Sequence, residues 1–310
     1  LIEMNAKPPV ITAAINADRV LMQEGIWPLQ LYDPGTGLRK SVGSLKVLPA
    51  RKPIALPPAP AQQWPAVAAA IPAPRLIAHA GGGLDSRPYL NSLEALTHNY
   101  DLGHRVFELD FNWTRDDQIA LIHDWDNTWQ TLFPQADHAQ APAMSEFLSA
   151  RMVDGQTQLD LPRLGQWLRK HPDAYVVTDI HAKNMLGLQR IKAELGDVQA
   201  RIIPQMYHAF RYPEIRALGF EQIIFTLYAS SLDTQSILDF VRKTPLFAVT
   251  LNPERVDAGT LLHELSASKI PTYVHTFNKV GDMAQFESQG AHGLYTDFLY
   301  LGKDGTVLHQ

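Results

Sequence analysis

The chain has 310 residues, 45% of them hydrophobic and 19% charged, with a formal net charge of -5 and no cysteine. The slightly acidic balance argues against nucleic acid as a partner, and the lack of cysteine excludes disulfides and thiolate metal sites. No run approaches the ~20 uninterrupted apolar residues that a membrane-spanning helix needs, and the length suits one large α/β domain.

Twelve of the 22 prolines precede Arg75. Leu29–Tyr32, the turn at Pro34–Gly37 and Leu38–Leu48 read as a hairpin, and 53–74 reads as a polyproline-like strap. Residues 1–74 are therefore expected to be an extended arm or linker without its own core, and 75–310 a barrel domain. The start at Leu1 and the Pro/Ala-rich segment after it lead to the expectation that a signal or anchor has been removed and that the protein is extracytoplasmic.

From Arg75 the pattern changes to short apolar runs alternating with amphipathic stretches. Strands are predicted at 75–80, 104–112, 118–123, 174–180, 201–207, 222–228, 246–251, 270–276 and 291–296. Helices are predicted at Ser92–Tyr100, Leu161–Lys170, Leu186–Leu195, Leu232–Lys243, Ala258–Ser268 and Asp282–Gln289. Continuous apolar strands separated by helices predict a parallel sheet covered on both faces, and about eight such units predict a closed (β/α)8 TIM-type barrel. The gap between 104–112 and 118–123 is too short for a helix, so those two runs form an antiparallel hairpin or one bent strand. Trp125, Trp129, Phe133 and Phe147 follow it, as a satellite core or a lipid-contacting lip.

In such a barrel, function gathers at the carboxyl ends of the strands. His79 ends one run and opens into Gly81-Gly82-Gly83, which would let a substrate approach the backbone closely. Glu108 and Asp110 lie two apart, so both side chains leave the same strand face. His123, followed by Asp124, ends the next run. Two imidazoles beside a carboxylate pair suit metal-assisted acid/base chemistry on a phosphoester. All-oxygen ligands favour a hard cation, Mg²⁺ or Ca²⁺.

From Arg75 to Leu301 the chain resembles the glycerophosphodiester phosphodiesterases and the wider phospholipase C-like phosphodiesterase superfamily. His79-Ala80-Gly81 stands where the family has His-Arg-Gly, and Asn91-Ser92 with Gly103 echoes its Glu-Asn-Thr, helix and Gly. Glu108-Leu109-Asp110, Thr114 and His123-Asp124 match its Glu-x-Asp and His-Asp. His275-Thr276-Phe277-Asn278 and His292 to Asp297 match its closing strands. The resemblance implies one divalent cation on Glu108, Asp110 and a third carboxylate, Asp179, with His79 and His123 as the general acid/base pair. Asp179-Ile180-His181-Ala182-Lys183 stands where the family has Glu-x-Lys, and an Asp there is closer to the sphingomyelinase D-like branch. Lys183, His181, Gln205 and Asn278 are candidate substrate-binding residues. Ala80 removes an arginine that helps hold phosphate, and Asn91 replaces a glutamate near the metal.

The expected function is a metal-dependent phosphodiesterase acting on a glycerol- or lipid-derived phosphodiester, a small molecule or a phospholipid met at a membrane surface. Two alternatives stand beside it: a phospholipase D-like lyase that forms a cyclic phosphate, and a non-catalytic barrel that binds phosphate or phospholipid.

Overall fold

The computed structural model describes residues 71–310 except 138, 258 and 259, together with the strand backbone at 2–3, 12–13, 25–32 and 39–47. The chain divides into two compact units, Leu1–Trp64 and Pro65–Gln310. In the first, Gly25–Tyr32 pairs antiparallel with Arg39–Val47, as the turn signal at Pro34–Gly37 predicts, with a register slip between Leu29 and Gln30. Apart from those strands, the strap expected of 1–74 and the polyproline-like path of 53–74 lie, up to residue 70, outside the described residues.

The second unit is a closed barrel of parallel strands: β1 (Leu76–Ala78), β2 (Val106–Trp113), β3 (Tyr175–Asp179), β4 (Ile202–Met206), β5 (Ile224–Thr226), β6 (Ala248–Leu251), β7 (Thr272–Val274) and β8 (Gly293–Thr296). Neighbours pair in chain order from β2 to β8, and the β8–β1 and β1–β2 ladders close the ring. The predicted hairpin is present: Ile119–Leu121 runs antiparallel to the end of β2, with Asn112 opposite Ala120.

Side chains alternate along a strand, so each strand sends every second residue inward. Ile77, Val106, Val177, Ile203, Ile224, Ala248, Tyr273 and Tyr295, one from each strand, form a buried apolar layer at the amino end. Two residues further along, the same faces carry His79, Glu108, Asp179, Gln205, Thr226, Thr250, His275 and Asp297. The interior thus turns from apolar to polar in one step of the pleat, and that step sets the depth of the site.

The helices cover the outside. Leu161–Lys170 has its predicted bounds, with Asp160 capping the Arg163 amide. Ser92 caps Leu93–Asp101 through the Ala95 amide. The last helix begins earlier than predicted, at Val280, because Asp282 acts three residues inside and accepts from the Lys279 amide at 3.1 Å. Short helices at Asn127–Leu132, Met144–Ser149, Tyr212–Ala217 and Pro253–Asp257 were not predicted, since none is long enough to show a helical period. Trp129, Phe133 and Phe147 are buried together, with Trp125 packed against them, so this group is a satellite core and not a lip.

His104, just before β2, is buried, and its Nε2–H donates to the Leu299 carbonyl at 2.9 Å. Burial is the main reason that its pKa is lowered to about 4; the Leu299 bond opposes the shift, and Arg105 adds to it. Between the ordinary 6.5 and about 4, the unfolded chain binds a proton at His104 that the folded chain refuses. Its contribution is whole above pH 6.5 and is lost as the pH falls. Urea unfolding of the parent and His104→Gln between pH 7 and 4 checks this. The stability difference should shift in favour of the variant by about 1.4 kcal/mol per pH unit, and a constant difference would count against it.

Candidate active site

β2 carries the centre of the site. Its inward face places Glu108 and Asp110 above Val106, and β3 lies in register beside it with Asp179 opposite Asp110. One oxygen from each of the three carboxylates lies within 4.8 Å of the other two. Burial, and then the neighbouring Asp110 charge, push the Glu108 pKa well up. Burial and the Asp179 charge also raise that of Asp110. Asp179 goes the other way: burial opposes its charge, but contacts from His181, Tyr207 and Tyr228 outweigh burial and hold it low. Tyr207 donates its hydroxyl to Asp179 and accepts the Ile180 amide at 2.9 Å, while Tyr228 reaches the same carboxylate at 3.2 Å.

Each carboxylate of the β2 pair is positioned by the loop after β1. The Ala80 amide donates to Glu108 Oε2 at 2.9 Å. Asn91 clamps Asp110 twice, Nδ2 donating to Oδ2 at 2.8 Å and Oδ1 accepting the Asp110 amide at 2.9 Å. Asn91 therefore serves the cluster as a brace. The three glycines do not open room for a ligand: a Cβ on Gly82 would lie 2.2 Å from the Asn99 side chain, and one on Gly83 would lie 2.1 Å from Phe298. They let the loop pack against its own barrel, which corrects the expectation of a substrate-facing backbone.

The two predicted histidines have matching surroundings. His79 Nδ1 is 2.8 Å from Asp297 Oδ1, and His123 Nδ1 is 2.8 Å from Asp124 Oδ2. A carboxylate only accepts, so Nδ1 carries the proton in both rings and Nε2 is the free edge. His79 Nε2 points at Glu108 Oε2, 3.9 Å away. Burial alone would lower the His79 pKa, but the Asp297 bond and the Glu108, Asp297 and Asp110 charges overcome it and push it up to about 9. Asp124 is held at about 2 against its burial, by the bonds from His123 and Thr128. Between the two imidazoles stands Tyr89, its ring 4.7 Å from His79 and 5.0 Å from His123.

The other candidates divide. Gln205 is buried in the wall and accepts from the Thr226 hydroxyl. His181 overlooks the trio, Nε2 lying 3.3 Å from Asp179 Oδ1. Lys183 is not brought to the site: it takes a left-handed conformation just before helix Asn184–Leu195, and its ammonium pairs with Asp117 at 2.8 Å. Asn278 is also redirected. Its Nδ2 donates to Asp297 Oδ2 at 2.8 Å, and its Oδ1 accepts from the Thr296 hydroxyl and the Asp297 amide, so it braces the His79 partner instead of facing a substrate.

Three residues of consequence escaped the sequence reading: Tyr89, Tyr207 and His275. Tyr89 sits in an irregular loop with no motif around it. His275 stands in the matched closing strand and lines the same cavity as Glu108 and Asp179, about 30 Å³ in volume. Burial, with the His79 charge second, lowers its pKa to about 4. Glu108 Oε1, His275 Nε2 and Tyr295 Oη all reach this cavity's walls without a hydrogen-bond partner. A buried carboxylate oxygen lacking a partner, within a cluster of three carboxylates, fits a hard divalent cation.

A family model described as "Glycerophosphoryl diester phosphodiesterase family" matches residues 81–301. The chain belongs to that family. It is a phosphodiesterase of the (β/α)8 barrel type. No curated protein matches it at a significant level. Among solved structures, a glycerophosphodiester phosphodiesterase from Parabacteroides distasonis is 15% identical with a TM-score of 0.57, over 72% of this chain and 92% of its own. One from Thermotoga maritima is 16% identical with a TM-score of 0.56, over 72% and 94%. A phosphodiesterase from Oleispira antarctica, solved with the product sn-glycerol-3-phosphate, is 12% identical with a TM-score of 0.56, over 72% and 93%. At these identities the likeness is one of fold.

Replacing Asp297 by Asn tests the His79 dyad. An amide lacks the negative charge and the carboxylate acceptor that help keep the His79 ring protonated, so the acid form is lost more readily. Turnover in Asp297→Asn should fall by roughly 10²–10⁴-fold, with thermal unfolding nearly unchanged because the side chain keeps its shape. Activity near the parent level would remove Asp297 from the catalytic arrangement.

Proposed function

We propose that this family member cleaves a glycerol- or lipid-derived phosphodiester with His79 and His123 as acid and base, around one divalent cation held by Glu108, Asp110 and Asp179. The observation that carries the reading is the pair of imidazoles, each with Nδ1 fixed by its own carboxylate and Nε2 free, beside three converging carboxylates. When bound, a cation, Mg²⁺ or Ca²⁺, would supply positive charge against the charge that develops on the phosphoryl group.

The chain's own groups divide the work. His79, surrounded by Asp297 and Glu108, holds its proton and donates it to the leaving oxygen. His123, aligned by Asp124, takes a proton from the attacking hydroxyl at Nε2. Each transfer is worth roughly 10²–10⁴-fold. Tyr89 walls the gap between them. With Ala80 in the arginine's place and Lys183 paired with Asp117, His181 is the side chain left to contact the phosphate.

A lipid-borne substrate and contact with a membrane surface have support in the loops. Tyr89, Leu186, Phe210 and Val280 are exposed by 37%, 49%, 65% and 47%, and all four follow carboxyl ends of barrel strands. Apolar side chains around the mouth of a site suit a substrate anchored in a lipid surface.

The test is a panel of glycerophosphodiesters and lysophospholipids with Mg²⁺ or Ca²⁺, with products separated as open or cyclic phosphates. Turnover should need added cation, disappear with chelator, and drop by orders of magnitude in His123→Ala and Glu108→Gln. Full activity after exhaustive chelation would give the carboxylates another task, and a fully active His123→Ala would overturn the acid/base assignment. A cyclic phosphate as the final product would favour the lyase chemistry.

A further inference from the structure

We propose that Asp110, His123 and His181 form a second cation site that takes a divalent transition ion such as Zn²⁺ and silences the enzyme when filled. The inference rests on the phosphodiesterase reading for its consequence, while the site itself rests on geometry. One donor atom from each of these residues lies within 4.8 Å of the other two, in a cluster that shares Asp110 with the carboxylate trio. The His123 and His181 ring centroids are 5.9 Å apart with planes at 73°. Imidazole nitrogens sit about 2.1 Å from a bound zinc, so this spacing is wider than a tetrahedral pair needs. His181, whose side chain is 55% exposed, can close it by rotating away from its 3.3 Å contact with Asp179.

The surroundings of His123 supply an independent argument. Its Nδ1 is fixed by Asp124, and Asp124 is itself held by the Thr128 hydroxyl at 2.7 Å, the Thr128 amide at 3.0 Å and the Asp126 amide at 2.9 Å. A carboxylate that orients the far nitrogen of a histidine and raises its basicity is the usual support of a metal-ligating imidazole. The donor set separates the two sites by chemistry. Three carboxylates select a hard ion, whereas two imidazoles and one carboxylate favour zinc and its transition-metal neighbours and leave positions open. Lys183, the nearest lysine in sequence, is engaged by Asp117 and does not compete.

Occupation has a direct cost to turnover. A His123 lone pair committed to a metal cannot accept a proton. Asp110, shared between the clusters, would also be drawn toward the second ion.

Cobalt reports the site without turnover, through its visible absorption. The Mg²⁺-saturated chain should bind one Co²⁺ with a nitrogen-ligand spectrum, and Zn²⁺ should displace it and inhibit hydrolysis over the same concentration range. His181→Ala should weaken Co²⁺ roughly tenfold or more, and Asp124→Asn roughly 10–100-fold. Glu108→Gln, at a residue that belongs to the carboxylate trio and not to the second cluster, should lose hydrolysis and keep the cobalt spectrum. Unchanged Co²⁺ affinity in His181→Ala would overturn the proposal, and so would loss of the spectrum in Glu108→Gln, which would place the ion among the carboxylates. Because absorption is read without substrate, a failed hydrolysis assay leaves the proposal standing, and a failed cobalt titration leaves the phosphodiesterase reading standing.

Discussion

Repulsion among Glu108, Asp110 and Asp179 is the constraint around which the barrel's carboxyl end is organised. Three carboxylates with oxygens within 4.8 Å of one another, largely out of water, oppose each other's ionisation. Each is met by its own donors: the Ala80 amide on Glu108 and Asn91 on Asp110, both from the loop after β1, and Tyr207 and Tyr228 on Asp179. These bonds fix direction and leave Glu108 Oε1 with no partner. A divalent cation is a group that would remove the residual conflict, and the unpartnered oxygen fits one.

The same conflict accounts for the histidines. His79 lies in a field of negative charge strong enough to overcome its own burial, and this favours the protonated ring. His123 is farther out and is served by a carboxylate anchored in the next helix. The two dyads are built alike, but one faces inward over Glu108 and the other faces the open rim. Tyr89 touches both rings, so the loop after β1 shapes the space between the two imidazoles as well as bracing Glu108 and Asp110.

That loop also carries backbone strain. Asp85, Ser86, Tyr89 and Asn91 all have positive φ, a costly conformation for residues with side chains. Strain is tolerated where surrounding contacts overdetermine the path. Here these include the reciprocal Asn91–Asp110 bonds and the close packing of Gly82 and Gly83 on Asn99 and Phe298. The cost of holding the loop is matched by the precision with which it positions Glu108 and Asp110.

Much of this protein was legible in one dimension. Apolar runs spaced by helical stretches determine a parallel barrel, because strands covered on both faces cannot carry alternating polarity. The i, i+2 spacing of Glu108 and Asp110 determines that they share a face, and the short gap after β2 determines the hairpin that brings His123 back. Local geometry settles such features, so local sequence shows them. Partnerships between distant residues are different. That Asn278 braces Asp297 and not a substrate, that Lys183 turns to Asp117, and that His181 comes within reach of both His123 and Asp110 depend on where the loops from separate strands end. Sequence spacing places each residue at the rim, but the direction of its side chain is decided by ring closure and by competition among neighbours for the same donors. Only the folded barrel brings those competitors together.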